Sequence, residues 1–179
     1  MCSIGRACAL KLVRQDVDLA LTYSSNKLAI DELVAELRQV HDRESPEAGY
    51  LRISTHKVDL ARAEECIKLC EDVRKEHGKP VQLLISNAGH GKRITNIWDI
   101  PLEEFDYTIN VNLRASFLLV KGVIEGMKEK RWGRIVFVGS IAAYGAGING
   151  CRECFASLLG ITADLWQQTM LHRKLDSWG

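Results

Sequence analysis

The hydrophobic pattern has its centre at Val81-Gln82-Leu83-Leu84-Ile85-Ser86-Asn87-Ala88-Gly89. Four of the first five residues are apolar, with no polar alternation, which predicts a strand buried on both faces of a parallel sheet. His77-Gly78-Lys79-Pro80 is a turn signal before it, and small polar residues break the run after it. The chain therefore leaves this strand at its carboxyl end, where open α/β sheets bind ligands. An ordinary Asn-Gly turn is the plain structural counterpart.

The remaining segments alternate between two periods. Ile4, Ala7, Ala9, Leu10, Leu12 and Val13 resemble one side of a helix, and no strand precedes them. Val17 to Tyr23 is a short strand pattern, and Ser24-Ser25-Asn26 can cap the helix that follows through about Val40. His41 to Gly49 reads as a loop, Tyr50 to Val58 as a strand, and Asp59-Leu60 leads into an amphipathic helix ending near Glu76. Gly91 to Ile100 is irregular, and Pro101 opens a helical pattern that runs through Ile109 and Val111 to about Lys130. After the turn Arg131-Trp132-Gly133, Arg134 to Val138 forms a second continuous buried strand, ending at Gly139-Ser140. Strands alternating with helices predict a doubly wound parallel α/β sheet. Residues 1–150 form the patterned domain and 151–179 a divergent segment of it.

Composition narrows the function classes. At 179 residues and 46% apolar, the chain suits one soluble domain. A net charge of +1 suggests no nucleic-acid surface, and no apolar run reaches membrane-spanning length. No secretory signal is visible, so the expected location is cytoplasmic and the six cysteines are expected as reduced thiols. Cys66 and Cys70 are four apart on a predicted helix, and Cys151-x-x-Cys154 has the spacing of a zinc or redox half-site, but a structural zinc needs four ligands and no second close Cys or His pair accompanies either one. No metal is expected.

Four segments now stand in order: Asp59-Leu60, Asn87-Ala88-Gly89, Asn110-Val111-Asn112-Leu113, and Arg134-Ile135-Val136-Phe137-Val138-Gly139-Ser140. Together they resemble the short-chain dehydrogenase/reductase family, with the nearest look to its 3-oxoacyl-carrier-protein-reductase-like branch. The resemblance spans about Ile4 to Gly150. It implies a Rossmann-type sheet, a nicotinamide cofactor and hydride transfer to the carbonyl of a small ketone or acyl thioester. It also implies a homo-oligomer.

The resemblance assigns roles residue by residue. Ser140 takes the slot that polarises the carbonyl oxygen, where charge develops. Asn112 takes the slot that holds a water in the proton path. Asn87, Ala88 and Gly89 would line the ribose and nicotinamide half, and Asp59 would meet the adenine. Ile4 and Gly5 match the end of the glycine-rich turn, and Lys121 falls at a basic cofactor position of some relatives. Leu21 to Lys27 lacks the carboxylate with which NAD enzymes hold the ribose 2′-hydroxyl, while Ser24, Ser25 and Lys27 suit a 2′-phosphate. The expected cofactor is therefore NADP(H).

Two departures stand beside these matches. The family's opening strand and earlier glycines have no counterpart before Ile4-Gly5-Arg6. No Tyr-x-x-x-Lys follows Ser140: Glu153 stands in the tyrosine slot and Ser157 in the lysine slot. An ionised carboxylate has no proton to give, and losing a general acid costs a factor of about 10²–10⁴. Two expectations follow, an NADPH-dependent carbonyl reductase impaired in this chain, or a truncated, inactive relative acting as a binding or oligomerisation module.

Overall fold

The computed structural model describes residues 3–15, 17–44, 50–92, 94 and 96–139. In chain order these form α1 (Ser3–Leu12), β1 (Leu19–Tyr23), α2 (Lys27–Glu44), β2 (Ile53–Lys57), α3 (Ala63–His77), β3 (Leu83–Ser86), α4 (Leu102–Ile109), α5 (Ala115–Glu129) and β4 (Arg134–Phe137). Single 3₁₀ turns follow α1 and precede α4, and a π-turn, Asn110–Arg114, joins α4 to α5. The alternation of strands and helices is that of a Rossmann-type α/β fold, as the pattern predicts.

Local chemistry sets the helix ends. Asn26 Oδ1 accepts the Ala29 N–H at 3.0 Å and caps α2. α3 carries Glu64 and Glu65 in its first turn and Arg74, Lys75 and His77 in its last, matching the helix dipole. Gly78 ends it at φ 66°, and its N–H returns to the Arg74 carbonyl.

All strand pairing is parallel. β1 pairs with β2 from Leu19–Ile53 to Tyr23–Lys57, and β3 with β4 from Leu83–Arg134 to Ser86–Phe137. The two pairs share no ladder among the described residues. This fits the parallel α/β sheet expected without the family's opening strand. It also explains why β3 is only half-buried along its length, and why Val136 on β4 stays 42% exposed. A strand laddered on one edge lacks half of the cover that a central position gives.

The core forms two clusters. Ala9 and Val13 pack with Leu19, Ile30, Leu33, Leu37 and Leu51, fixing α1 and α2 on the β1–β2 pair. Val58, Leu69, Val73 and Leu119 pack with Leu60, Cys70, Val81 and Leu84, so α3 and α5 meet over β3. Ile30, Leu37 and Val13 are fully buried, and truncating such a Leu or Ile to Ala costs about 2–5 kcal/mol. α3 packs against both β2 and α5, and so spans the two strand pairs.

Candidate active site at the strand carboxyl ends

Because each ladder is parallel, Tyr23 and Lys57 end β1 and β2 at one end of their pair, and Ser86 and Phe137 end β3 and β4 at one end of theirs. Asn87 begins the exit from β3. Its Oδ1 is buried and meets no hydrogen-bond partner among the described residues. The first turn of α1 lies against it: a Cβ built on Gly5 would stand 2.9 Å from Asn87 Nδ2. Glycine is needed at residue 5 for this close approach. Ile4 beside it is exposed.

The loop beyond Asn87 is held at both ends. Ser86 Oγ lies 2.9 Å from Ser116 Oγ at the start of α5. Four residues past Ser86, the His90 N–H donates to Asn112 Oδ1 at 2.7 Å, and Asn112 Nδ2 donates to the His90 carbonyl at 2.9 Å. One amide side chain thus satisfies both backbone groups of His90, as a neighbouring strand would. Asn112 lies within the π-turn, and such bulges recur at functional sites because they re-aim side chains. Gly89 lies in ordinary contact with Asn112 Oδ1, at 3.7 Å from its built Cβ.

A titratable pair adjoins this clasp. His90 Nε2 lies 2.6 Å from Glu104 Oε1 on α4, and Lys92 Nζ is 3.9 Å from the other carboxylate oxygen. The imidazole meets the Tyr107 ring edge-on, with centroids 4.7 Å apart. The side chains of His90 and Glu104 are 31% and 18% exposed, so the pair reaches solvent while remaining fixed. Neither residue was singled out by sequence. The position of His90, directly after Gly89, is the signal that could have found it; Glu104 pairs with it across fourteen positions, and no local pattern marks that.

The other candidates divide. Asp59 follows β2 at the same side; its Oδ1 accepts the Ala61 N–H at 3.0 Å, and its own N–H donates to Glu65 Oε2 at 2.8 Å. The structure brings Gly5 to Asn87 and Asn112 to Gly89–His90. It does not bring Lys121 to them: that residue is exposed on α5, nine residues from Asn112, about 13 Å along a helix axis. Ser140, Glu153 and Ser157 lie outside the described residues. The spacing Tyr-x-x-x-Lys does occur once, at Tyr23 to Lys27, but it runs from the end of β1 to the start of α2. Lys27 is engaged there with Asp31 at 2.6 Å, and that partner raises its pKa. The pair therefore does not share one helix face.

The residues present suit a dinucleotide. The orphan Oδ1 of Asn87 calls for a donor, which a ribose hydroxyl or a carboxamide N–H supplies. The glycine-opened end of α1 presents backbone N–H groups suited to phosphate.

Comparison with known proteins agrees. The short chain dehydrogenase family model matches residues 1–152. Epidermal retinol dehydrogenase 2 of Mus musculus is 30% identical over 98% of this chain and 53% of its own length. Dehydrogenase/reductase SDR family member 4 of Bos taurus is 30% identical over 90% of this chain and 55% of its own. The chain thus spans about half the length of these curated relatives. Among solved structures, an alcohol dehydrogenase of the archaeon Thermococcus sibiricus, complexed with 5-hydroxy-NADP, superposes with a TM-score of 0.76 at 21% identity, covering 97% of this chain and 67% of that one. The NADH-dependent reductase A1-R′, complexed with NAD, gives 0.77 at 21%, covering 92% and 66%. The matched residues include the glycine-opened helix, the Asn87 exit and the Asn112 clasp, and the chain belongs to the short-chain dehydrogenase/reductase family.

Proposed function

We propose that this chain carries the nucleotide groove of an NADP(H)-dependent oxidoreductase that reduces a ketone or 3-oxoacyl thioester to an alcohol. The observation that carries this reading is Asn87, whose Nδ2 lies against Gly5 in the first turn of α1 and whose buried Oδ1 is unpartnered among the described residues, beside a loop clasped by Asn112. A nicotinamide bound there supplies hydride to the carbonyl carbon. Gly5 and the first turn of α1 hold phosphate, with Ile4 flanking the turn. Asn87, Ala88 and Gly89 hold the ribose side, and Asp59 borders the adenine. Ser140 is assigned the hydrogen bond to the carbonyl oxygen, and Lys121 an outlying role at most in the cofactor's charge balance.

The proton that the alkoxide must collect has its best-placed described source in His90. Glu104 Oε1 holds its Nε2 at 2.6 Å. Carboxylate-held imidazole is the commonest general acid–base arrangement near neutral pH. Preference for NADP(H) over NAD(H) rests on the carboxylate-free stretch from Leu21 to Lys27, although Lys27 must leave Asp31 to meet a 2′-phosphate.

Oxidation of NADPH in the presence of an acetoacetyl thioester tests the activity. The reading expects slow turnover that falls about 10²-fold or more in His90→Gln, with NADPH affinity unchanged. Tighter binding of NADH than of NADPH contradicts the cofactor assignment, and undiminished turnover in His90→Gln contradicts the proton source. An inactive relative that binds nucleotide only is the second reading. The Glu153 and Ser157 substitutions favour it, and it expects NADPH binding with no turnover at all.

A further inference from the structure

A second cluster of titratable groups lies where β2, α3 and the start of β1 meet. Ser54 Oγ is 2.8 Å from Nε2 of His56 and 2.8 Å from Nε2 of His77. Ser54 and His77 are buried, and the His56 side chain is 11% exposed. His77 Nδ1 faces Asp18 Oδ2 at 3.6 Å, and Lys79 Nζ lies 2.7 Å from that same oxygen. Glu76 Oε2 is 3.8 Å from His56 Nε2, and the ion-paired Lys68 and Asp72 of α3 complete the charges around His56. Just before β2, Arg52 Nη1 donates to the carbonyls of His77 and Glu76, at 3.0 and 3.3 Å.

A hydroxyl has one proton, so it donates to one imidazole while accepting from the other. Asp18 selects the arrangement. His77 carries its proton on Nδ1, towards that carboxylate, and its Nε2 accepts from Ser54; His56 then donates Nε2–H to Ser54 Oγ. Every shared group is used. A proton added to His56 sets a cation against a buried hydroxyl that already accepts its Nε2–H.

The seam also occupies a junction. α3 packs on β2 and on α5, and α5 packs on β3, while the two strand pairs share no ladder. Gly5 stands on the β1–β2 side and Asn87 on the β3–β4 side. We propose that His56, Ser54 and His77 form a pH-sensitive latch that fastens α3 to the β1–β2 pair at neutral pH and releases it in mild acid, loosening the groove between Gly5 and Asn87.

The sign follows from the surroundings. Burial holds His56 below the usual histidine range; Glu76 and Asp72 oppose this, and His77 and Lys68 add to it. The fastened state therefore favours neutral imidazole. Its stabilisation is full above a pH of about 6.5 and is lost as pH falls through the lower value of the fastened state. Burial tends to raise Asp18, but Lys79 and His77 outweigh it and keep the carboxyl below its usual value, so Asp18 stays ionised through this window.

Amide hydrogen exchange of the full chain at pH 7.5 and 5.5, corrected for intrinsic rates, tests the latch. The expected result is a loss of protection of about tenfold in residues 63–77 in the wild type, and no pH-dependent loss in His56→Gln, which still donates to Ser54 but cannot titrate. Equal loss in both proteins, or none in either, overturns the proposal. Titration of the His56 ring by NMR in the wild type decides independently of any variant. A value below that of a free histidine, tracking the exchange, supports the latch; a value at or above it overturns it.

Discussion

Asn112 does the work of a strand with a side chain. Its amide occupies both backbone groups of His90, one bond donated and one accepted. Asn112→Ala leaves a half-buried N–H and C=O unpaired, and the expected cost is about 1–3 kcal/mol. Urea unfolding measures it, and a loss below about 0.5 kcal/mol would mean that the loop holds its path by other means. The cysteines allow a second expectation at this scale. Burial, with smaller contributions from Cys70, Asp59 and Glu65, pushes the Cys66 thiol up to about 11, and burial raises Cys70 as well. The thiolate is the reactive form. Both thiols should therefore resist a disulfide reagent at pH 8 in the folded chain and react at once in denaturant. Mass spectrometry of the labelled peptides reads this, and rapid native labelling of Cys66 would contradict its burial.

At the scale of elements, helix ends were legible because their signals are local. Asn26 caps α2 through a bond three residues long, and Gly78 stops α3 by adopting a φ of 66°. Gly78→Ala forces a Cβ into the left-handed region and is expected to cost about 1 kcal/mol, read as a lowered Tm with α3 otherwise intact; an unchanged Tm would contradict the cap. Strand positions were legible from their apolar runs. What escaped the sequence is long-range or irregular. The π-turn at Asn110–Arg114 interrupts a helical pattern that looks continuous, because apolar residues stand on both sides of it and within it. The run Val81–Ile85 does not itself record the separation of the ladders, since an apolar run shows a preference for burial and not the number of strands that supply it; the unmatched opening strand of the family is the signal for that separation. The His90–Glu104 pair depends on how α4 lies against the β3 exit, which no local period encodes.

For the whole molecule, the candidate site is a property of arrangement. Gly5, Asn87 and Asn112 come from three distant segments, and contacts to Gly5 and to the Gly89–His90 loop bring them together around the exit from β3. The two core clusters serve the two halves, with α3 spanning both. Among the described residues no helix is long and apolar enough to cross a membrane. The family's motifs mark these positions in the sequence, but only the fold shows that Asn87 keeps an unused acceptor while its Nδ2 stands where a Cβ on Gly5 would crowd it.

The most direct measurement is fluorescence titration of the full chain with NADPH, repeated with Gly5→Val. The account predicts saturable one-to-one binding that weakens about tenfold or more in Gly5→Val, because the added side chain meets Asn87 where the nucleotide should lie. Absence of binding by the wild-type chain, or binding indifferent to the substitution with the fold intact, would contradict it.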